Sequence, residues 1–305
     1  MKAIILKEKG AISNVLVEDI PKPLPKPDEV LVKVYAAGVN PVDWKAAMYG
    51  YFELPHIVGS DIAGVIEAVG SEVVDFKPGD EIIGSIEWKT QGAFTEYVAT
   101  KTPYITRKPN NVNWAEAAAI PLASLTAWQA LFNHGQVQPG QKVVIQAAAG
   151  GVGLFAVQFA KWKGAYVVGT ASEANHAFVK SFGADEVVDY HTTKLTDRVM
   201  GANMVLDSIA TPDVQEECFK ALKNGGHYVS ITAGPREELQ KGYDIHATRF
   251  LFVSHQAQLQ QIVGLIEQGI VKVHIDKTFP LVEAKEALEY VHKGRTRGKV
   301  VLTVV

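Results

Sequence analysis

The sequence predicts an α/β fold: a small β-rich domain, then a doubly wound parallel sheet, then a closing segment that returns to the first domain. Three observations carry this prediction. The chain has 305 residues, room for two domains at roughly 150 residues each. Its first third reads as short strands between turn signals. From Lys142 onward, strands and helices alternate at lengths that call for a parallel sheet.

In the first part, Val30 to Ala36, Gly64 to Val69 and Phe94 to Ala99 are the expected strands, with Gly70-Ser71 and Lys77-Pro78-Gly79-Asp80 as turns. Pro21, Pro23, Pro25 and Pro27 alternate with other residues, which forbids a ladder strand and predicts an extended connector. Helical character begins at Asn113, whose spacing to Glu116 is that of a capping box. A second helix is expected from Ser124 to Phe132. There follow strand 142–147, helix 152–162, strand 166–170, helix 174–182 and strand 186–190. Next come strand 204–208, helix 213–222, strand 227–232, strand 249–253 and helix 257–268. The remaining segment returns to strand–helix–strand and ends in Lys299-Val-Val-Leu-Thr-Val-Val305.

Composition removes several classes of function. A formal charge of −3 with mixed signs offers no electrostatic footprint for nucleic acid or an anionic membrane. The one cysteine, Cys218, excludes an internal disulfide framework and fits a reducing compartment, here the cytoplasm. It sits in an amphipathic helix among Glu216 and Glu217, which is not the setting of an activated thiolate. Ile4-Ile5-Leu6 is cut at once by Lys7-Glu8-Lys9, unlike a secretory signal. Val143 to Ala160 is free of charge, yet Ala-Ala-Ala-Gly-Gly-Val-Gly at its centre marks a strand, a turn and a helix instead of a membrane span.

That turn, Ala148-x-Gly150-x-x-Gly153, is a dinucleotide fingerprint with alanine at the first glycine. Between a buried strand and an amphipathic helix it exposes the N–H groups of Ala149, Gly150, Gly151 and Val152 to a pyrophosphate. Gly153 would let the helix lie close to the sheet. At the end of the second strand an NAD site usually places Asp or Glu. Here the strand ends in Thr170-Ala171-Ser172, and Glu173 comes later. Thr170 and Ser172 can donate to a 2′-phosphate, so NADPH is favoured. His176 and Lys180 are the nearest cations, and His176 reads equally well as a solvated helix-face residue. Ser208, Ile209, Ile231 and Thr232 follow later strand ends, where open α/β sheets bind ligands. Asp207 ends its strand and reads as a cap for the next turn.

The chain resembles the medium-chain dehydrogenase/reductase superfamily, in its zinc-free quinone oxidoreductase (zeta-crystallin-like) and alkenal/enone reductase branch. The motifs that carry the resemblance are Ala36-Ala-Gly-Val-Asn-Pro-Val-Asp43, Val58-Gly-Ser-Asp-Ile-Ala-Gly-Val65, Lys77-Pro-Gly-Asp80 and Gly92-Ala-Phe-Thr-Glu-Tyr97. Pro121-Leu-Ala-Ser-Leu-Thr-Ala127, Ala147 to Gly153 and Gly298-Lys-Val-Val301 complete the set. The resemblance implies a GroES-like catalytic domain (1–122), a Rossmann NADP-binding domain (123–263), and a return segment (264–305) that completes the first. It also implies a site in the cleft between them and a homodimer or homotetramer.

Zinc-dependent members carry a metal-binding cysteine where this chain has Asn40, and a histidine–glutamate pair where it has Ser60-Asp61. Their four-cysteine lobe is missing, since seven residues separate Gly84 from Gly92. Neither metal set can be assembled at these positions, so no zinc is expected. Without a Lewis acid the feasible chemistry is hydride delivery to an already electrophilic quinone or α,β-unsaturated carbonyl.

By the family pattern, Asn40 and Asp43 lie near the nicotinamide and Thr126 near the cofactor ribose. Asn40 is also readable as a turn residue ahead of Pro41. Lys45, Tyr49 and Tyr51 are candidates for the substrate pocket. Tyr51 is either a donor to the substrate carbonyl or a surface tyrosine beside Gly50. Tyr190 matches a position that meets the adenosine phosphate, or else fills space at a strand end. Phe252 and Val253 match a segment whose backbone contacts the carboxamide. Lys299 either meets a phosphate or is a solvated strand-edge lysine. The expected activity is therefore NADPH-dependent reduction of a small quinone or enone. The alternative is a redox-sensing or crystallin-like NADPH binder with little turnover.

Overall fold

The computed structural model describes residues 1–87, 89 and 92–304. The chain divides into two compact units. One comprises Met1–Ala123, Ser254–Gly269 and Val273–Val305, the other Ser124–Val253 and Ile270–Lys272.

Strand β1 (Lys2–Leu6) pairs antiparallel with β2 (Val15–Asp19). The alternating prolines that follow carry no strand, as expected, and lead into β3 (Glu29–Val39). Helix α1 (Pro41–Tyr49) comes next, and the sequence analysis did not anticipate it. It forms because Pro41 has the backbone angle a first helical turn needs and no N–H to leave unpaired. The Asp43 carboxylate also accepts from the Asn40 N–H at 2.7 Å, closing the first turn. Gly50, at φ +68°, ends the helix.

After β4 (His56–Ile57) come β5 (Asp61–Val69), β6 (Glu81–Ser85), β7 (Tyr97–Lys101) and β8 (Ile105–Arg107). Helix α2 (Trp114–Ala118) has the expected box: Asn113 N donates to Glu116 Oε2, and Glu116 N to Asn113 Oδ1, both at 2.9 Å. Helix α3 (Pro121–Trp128) runs into a π-helical turn, Gln129–His134.

The second unit alternates as predicted: β9 (Lys142–Ile145), α4 (Gly151–Trp162), β10 (Tyr166–Thr170), α5 (His176–Ser181), β11 (Glu186–Val188) and β12 (Ala202–Asp207). Then come α6 (Pro212–Ala221), β13 (Leu222–Ser230), a short α7 (Glu237–Gln240) and β14 (Ile245–Arg249). The six strands run parallel in the order β11-β10-β9-β12-β13-β14. This is the doubly wound Rossmann order. Its core includes Val144, Val168, Val205, Phe219 and Tyr228.

The strand expected at 249–253 lies at Ile245–Arg249 instead, where it pairs in register with Gly226–Ser230. Residues 250–253 leave the sheet, and the Gln129 amide fixes the Val253 backbone. Gln129 Nε2 donates to Val253 O at 2.7 Å, and Val253 N donates to Gln129 Oε1 at 3.0 Å.

Helix α8 (Gln256–Glu267) belongs wholly to the first unit, so the boundary expected after residue 263 cuts it. Side-chain amides tie it there: Asn111 donates to Ile266 O at 2.9 Å, and Gln256 to Ile105 O at 2.9 Å. The chain ends with β15 (Ile275–Pro280), α9 (Ala284–His292) and β16 (Lys299–Thr303). Strand β16 pairs antiparallel with β3, Val300 opposite Val39. The carboxy-terminal strands thereby complete a seven-stranded sheet, β15-β16-β3-β5-β6-β8 with β7 also on β3. Val32, Ile62, Ile66, Phe94, Leu288 and Leu302 form part of its core.

If β16 is integral to that core, Leu302→Ala should lower stability by about 2–5 kcal/mol, the cost of truncating a fully buried leucine. Urea denaturation measures this, and a loss below about 1 kcal/mol would show the strand to be peripheral.

Candidate active site

The first unit gathers its polar residues where β3 passes into α1. Asn40 stands at that junction, 1% exposed. Gly298, at φ +73°, delivers Lys299 to the same place from the far end of the chain. A Cβ on Gly298 would lie 2.5 Å from His274 O, so glycine is required there. The Lys299 ammonium donates to Val39 O at 3.0 Å and to Asn40 Oδ1, and it lies 3.9 Å from Asp61 Oδ2. Asn40 Nδ2 donates to Asp61 Oδ2 at 2.9 Å and to Gly38 O at 3.4 Å. Asp61 Oδ1 accepts from Leu122 N at 3.0 Å.

Two carboxyls and one ammonium thus share a volume closed to solvent. Burial pushes the Asp43 carboxyl up to about 8, and the nearby Asp61 charge adds to the rise. Burial also raises Asp61, against the pull of Lys299 and Asn40, and lowers Lys299 against the pull of Asp61 and Asp43. Asp43 therefore holds a proton at neutral pH, beside the Asp61–Lys299 pair.

This geometry revises two expectations. Asn40, proposed as a catalytic group, has both amide hydrogens and its oxygen bonded within the protein, so it acts as the hub of the cluster. Lys299, expected near a phosphate or solvent, is 4% exposed and directs its donors inward. Lys45 lies on α1 with its ammonium 5.6 Å from the Trp44 ring. Tyr51 follows the helix, 44% exposed, its ring 6.3 Å from that of Tyr49.

The cluster does not fit a zinc ion. The amide of Asn40 is a poor ligand, both Asp61 oxygens already accept hydrogen bonds, and an ammonium provides the positive charge. Among the described residues no group of three His, Cys, Asp or Glu converges to hold a metal.

In the second unit the fingerprint turn is built as the sequence implies. Ala147 takes φ +51°, and Gly150 caps α4 without any side chain to engage the first N–H groups. A Cβ on Gly153 would stand 2.4 Å from Ala147 O, so only glycine lets the helix approach this closely. Ala149, Gly150, Gly151 and Val152 form the mouth of the turn.

Around it, several nominated side chains brace the fold. Thr170 is 3% exposed; its hydroxyl donates to Gln146 Oε1 at 2.5 Å and accepts from Ala147 N at 3.2 Å. It supports the turn from behind and is not a free phosphate donor. Val253 has both backbone groups bonded to Gln129, which corrects the expectation that they await a carboxamide. Phe252 is half-buried beside it, and Thr126 is buried on α3.

Other residues keep exposed polar groups at strand ends. Ser172 accepts from Asn175 Nδ2 at 3.1 Å, and the His176 ring lies 3.3 Å from Ala171 O. His176 borders a cavity of about 310 Å³ with Glu173, Asp189, Thr192, Thr193 and Arg198. Arg198 is a cation the sequence analysis missed, because it lies beyond β11 and no local motif marks it. Tyr190 is 59% exposed, its ring 4.2 Å from His191.

Ser208 has a buried hydroxyl with no hydrogen-bond partner. Its neighbours are held by Asp207, which accepts from Ile209 N at 2.8 Å, Ala210 N at 3.0 Å and Tyr228 Oη at 2.7 Å. Asp207 is thus the loop cap that the sequence indicated. Ile231 N donates to Asp207 O at 3.2 Å. The Cys218 thiol is buried and pushed up by that burial.

Two outcomes test the buried cluster. Lys299→Ala leaves Asp61 without its cation and should cost about 3–5 kcal/mol in urea denaturation, whereas a solvated lysine would cost almost nothing. Asp43 binds its proton more tightly folded than unfolded. The stability it lends is full below about pH 4 and is lost as pH rises through about 8. Asp43→Asn cannot ionise, so its melting temperature relative to wild type should climb steadily between about pH 5 and 8.5. A constant difference across that range would show that Asp43 is already ionised.

Comparison with known proteins accords with this architecture. The model of the alcohol dehydrogenase GroES-like domain matches residues 26–110, and that of the zinc-binding dehydrogenase matches 182–302. The chain is 35% identical to a 2-methylene-furan-3-one reductase of Solanum lycopersicum, covering 99% of this chain and 79% of that one. It is 33% identical to a chloroplastic NADPH-dependent alkenal/one oxidoreductase of Arabidopsis thaliana, with the same coverages. The structure of the quinone oxidoreductase from Coxiella burnetii superposes with a TM-score of 0.94 at 32% identity, over 100% of this chain and 99% of that one. The chain belongs to the medium-chain dehydrogenase/reductase family, in its branch of quinone oxidoreductases and alkenal/one reductases.

Proposed function

We propose that this protein is an NADPH-dependent reductase of quinones or α,β-unsaturated carbonyls that works without a metal. The observation that carries the reading is the Lys299–Asn40–Asp61 cluster. By the resemblance, zinc-dependent members place ligands where this chain has Asn40 and Asp61, and here those two residues bond to each other and are held by Lys299. The names of the related reductases of Solanum lycopersicum and Arabidopsis thaliana agree with it.

NADPH, when bound, supplies the hydride. The N–H groups of Ala149, Gly151 and Val152 would hold its pyrophosphate at the start of α4, while the Gly150 N–H, expected there too, donates to Ala147 O at 3.0 Å and shapes the turn. No carboxylate ends β10 itself, and His176 and Arg198 are the cations that would receive a 2′-phosphate against Glu173 and Asp189, which line the same cavity; Ser172 and Tyr190 follow the neighbouring strand ends. The unpartnered Ser208 hydroxyl and the Ile231 segment border the remainder of the cofactor. On the substrate side, the Tyr51 hydroxyl and the Lys45 ammonium supply hydrogen bonds to a carbonyl oxygen as negative charge develops.

The single buried cysteine supports a cytoplasmic location. We further assign a homo-oligomer, which light scattering would test.

The decisive experiment mixes the purified protein with NADPH and a panel of quinones, 2-alkenals and enones, following absorbance of the reduced cofactor. Turnover with at least one class is expected, with NADPH preferred over NADH by tenfold or more. Arg198→Ala should raise KM for NADPH about tenfold and leave NADH unaffected, a change of about 1.4 kcal/mol. Tight NADPH binding with no turnover on any acceptor would overturn the enzyme reading in favour of a cofactor-binding sensor. Equal use of NADH would overturn the cofactor assignment.

A further inference from the structure

The second unit carries a histidine group that neither the fingerprint turn nor the strand-end loops use. His227 on β13 and His246 on β14 are register partners in a parallel pair. Their side chains therefore leave the same face of the sheet side by side. The ring centroids are 5.0 Å apart, with planes inclined at 36°. His134, on the π-helical turn, borders the same open cavity of about 640 Å³ and is stacked on Phe250 at 4.4 Å.

The His227 ring hydrogen-bonds the backbone of His134. A neutral imidazole whose N–H is held by a carbonyl presents its other nitrogen as a lone pair. The same backing, N–H to a backbone carbonyl, fixes the tautomer of metal-bound histidines. The spacing also fits. Two imidazoles bound to one ion at about 2.0–2.1 Å with a tetrahedral angle set their centroids roughly 5 Å apart.

We propose that His227 and His246 form a two-histidine site for a late first-row divalent cation, Cu²⁺ or Zn²⁺. Water or a small ligand in the cavity fills the remaining positions. Two further features set its strength. Among the described residues no third His, Cys, Asp or Glu joins the pair, and the Lys223 charge acts on His227 against a cation. Affinity should therefore be micromolar and follow the order Cu²⁺ above Zn²⁺.

The test uses the full chain, stripped with a chelator and dialysed. Calorimetric titration with Cu²⁺ should give one site per chain. The electron paramagnetic resonance spectrum should show coupling to two nitrogens. His246 is exposed, so His246→Ala should fold and melt as wild type, bind NADPH unchanged, and lose at least tenfold in Cu²⁺ affinity. His191→Ala, a surface control away from the pair in sequence, should retain the site. Cu²⁺ affinity unchanged in His246→Ala, or no binding below about millimolar concentration, would overturn the proposal.

Discussion

The placement of one ammonium group inside the first unit determines much else. Lys299 comes from the last strand, yet its partners are the end of β3, the residue that starts α1, and the first residue of β5. Withdrawing a charge from water costs several kcal/mol, and only close partners offset it. The segments that provide those partners are thereby held in register around the charge. Asp61 must accept from Asn40, Asn40 must sit as the helix cap, and Gly298 must take a conformation that other residues resist. The second carboxyl, Asp43, is tolerated only because it keeps its proton. A second full negative charge would leave the cluster unbalanced in a medium that screens poorly.

The second unit follows the same rule with neutral groups. Its strand ends lead into loops, and loops carry backbone groups that need partners. Thr170 and Gln146 hold the turn after β9, Asp207 holds the loop after β12, and Gln129 holds the segment after β14. Thr170, Asp207 and Gln129 are buried side chains bonded to backbone, and Gln146 backs Thr170. The groups left over, such as the Ser208 hydroxyl, are the ones with capacity for a ligand. Position at a strand end therefore does not by itself distinguish a residue that binds from one that braces.

This explains which features were legible in the sequence. The fingerprint turn, the Asn113–Glu116 box and the strand–helix alternation are local, and each appears where its pattern placed it. Helix α1 was hidden in a β-rich neighbourhood, and its signal is a proline with an aspartate two residues later. Arg249-Phe-Leu-Phe-Val253 has strong strand propensity, but pairing with β13 takes Ile245–Arg249 instead. The contact between Asn40 and Lys299 spans 259 positions, and no periodicity reports such a pairing. Arg198 joins His176 at one cavity only because the sheet brings the ends of β10 and β11 together.

The buried cluster also bears on the chemistry proposed. A substrate oxygen that gains charge during hydride transfer needs a hydrogen-bond donor, and the ammonium of Lys299 already donates to Val39 O and Asn40 Oδ1 while it faces the Asp61 carboxylate. It cannot turn toward a ligand without stranding Asp61, at a cost comparable to the stability of the unit. The cation therefore organises the scaffold and leaves activation of the substrate to other groups. An acceptor that delocalises charge through its own conjugation needs the least help of this kind. That requirement favours quinones and enones over isolated aldehydes or alcohols, and it follows from how the partners of one buried lysine are placed.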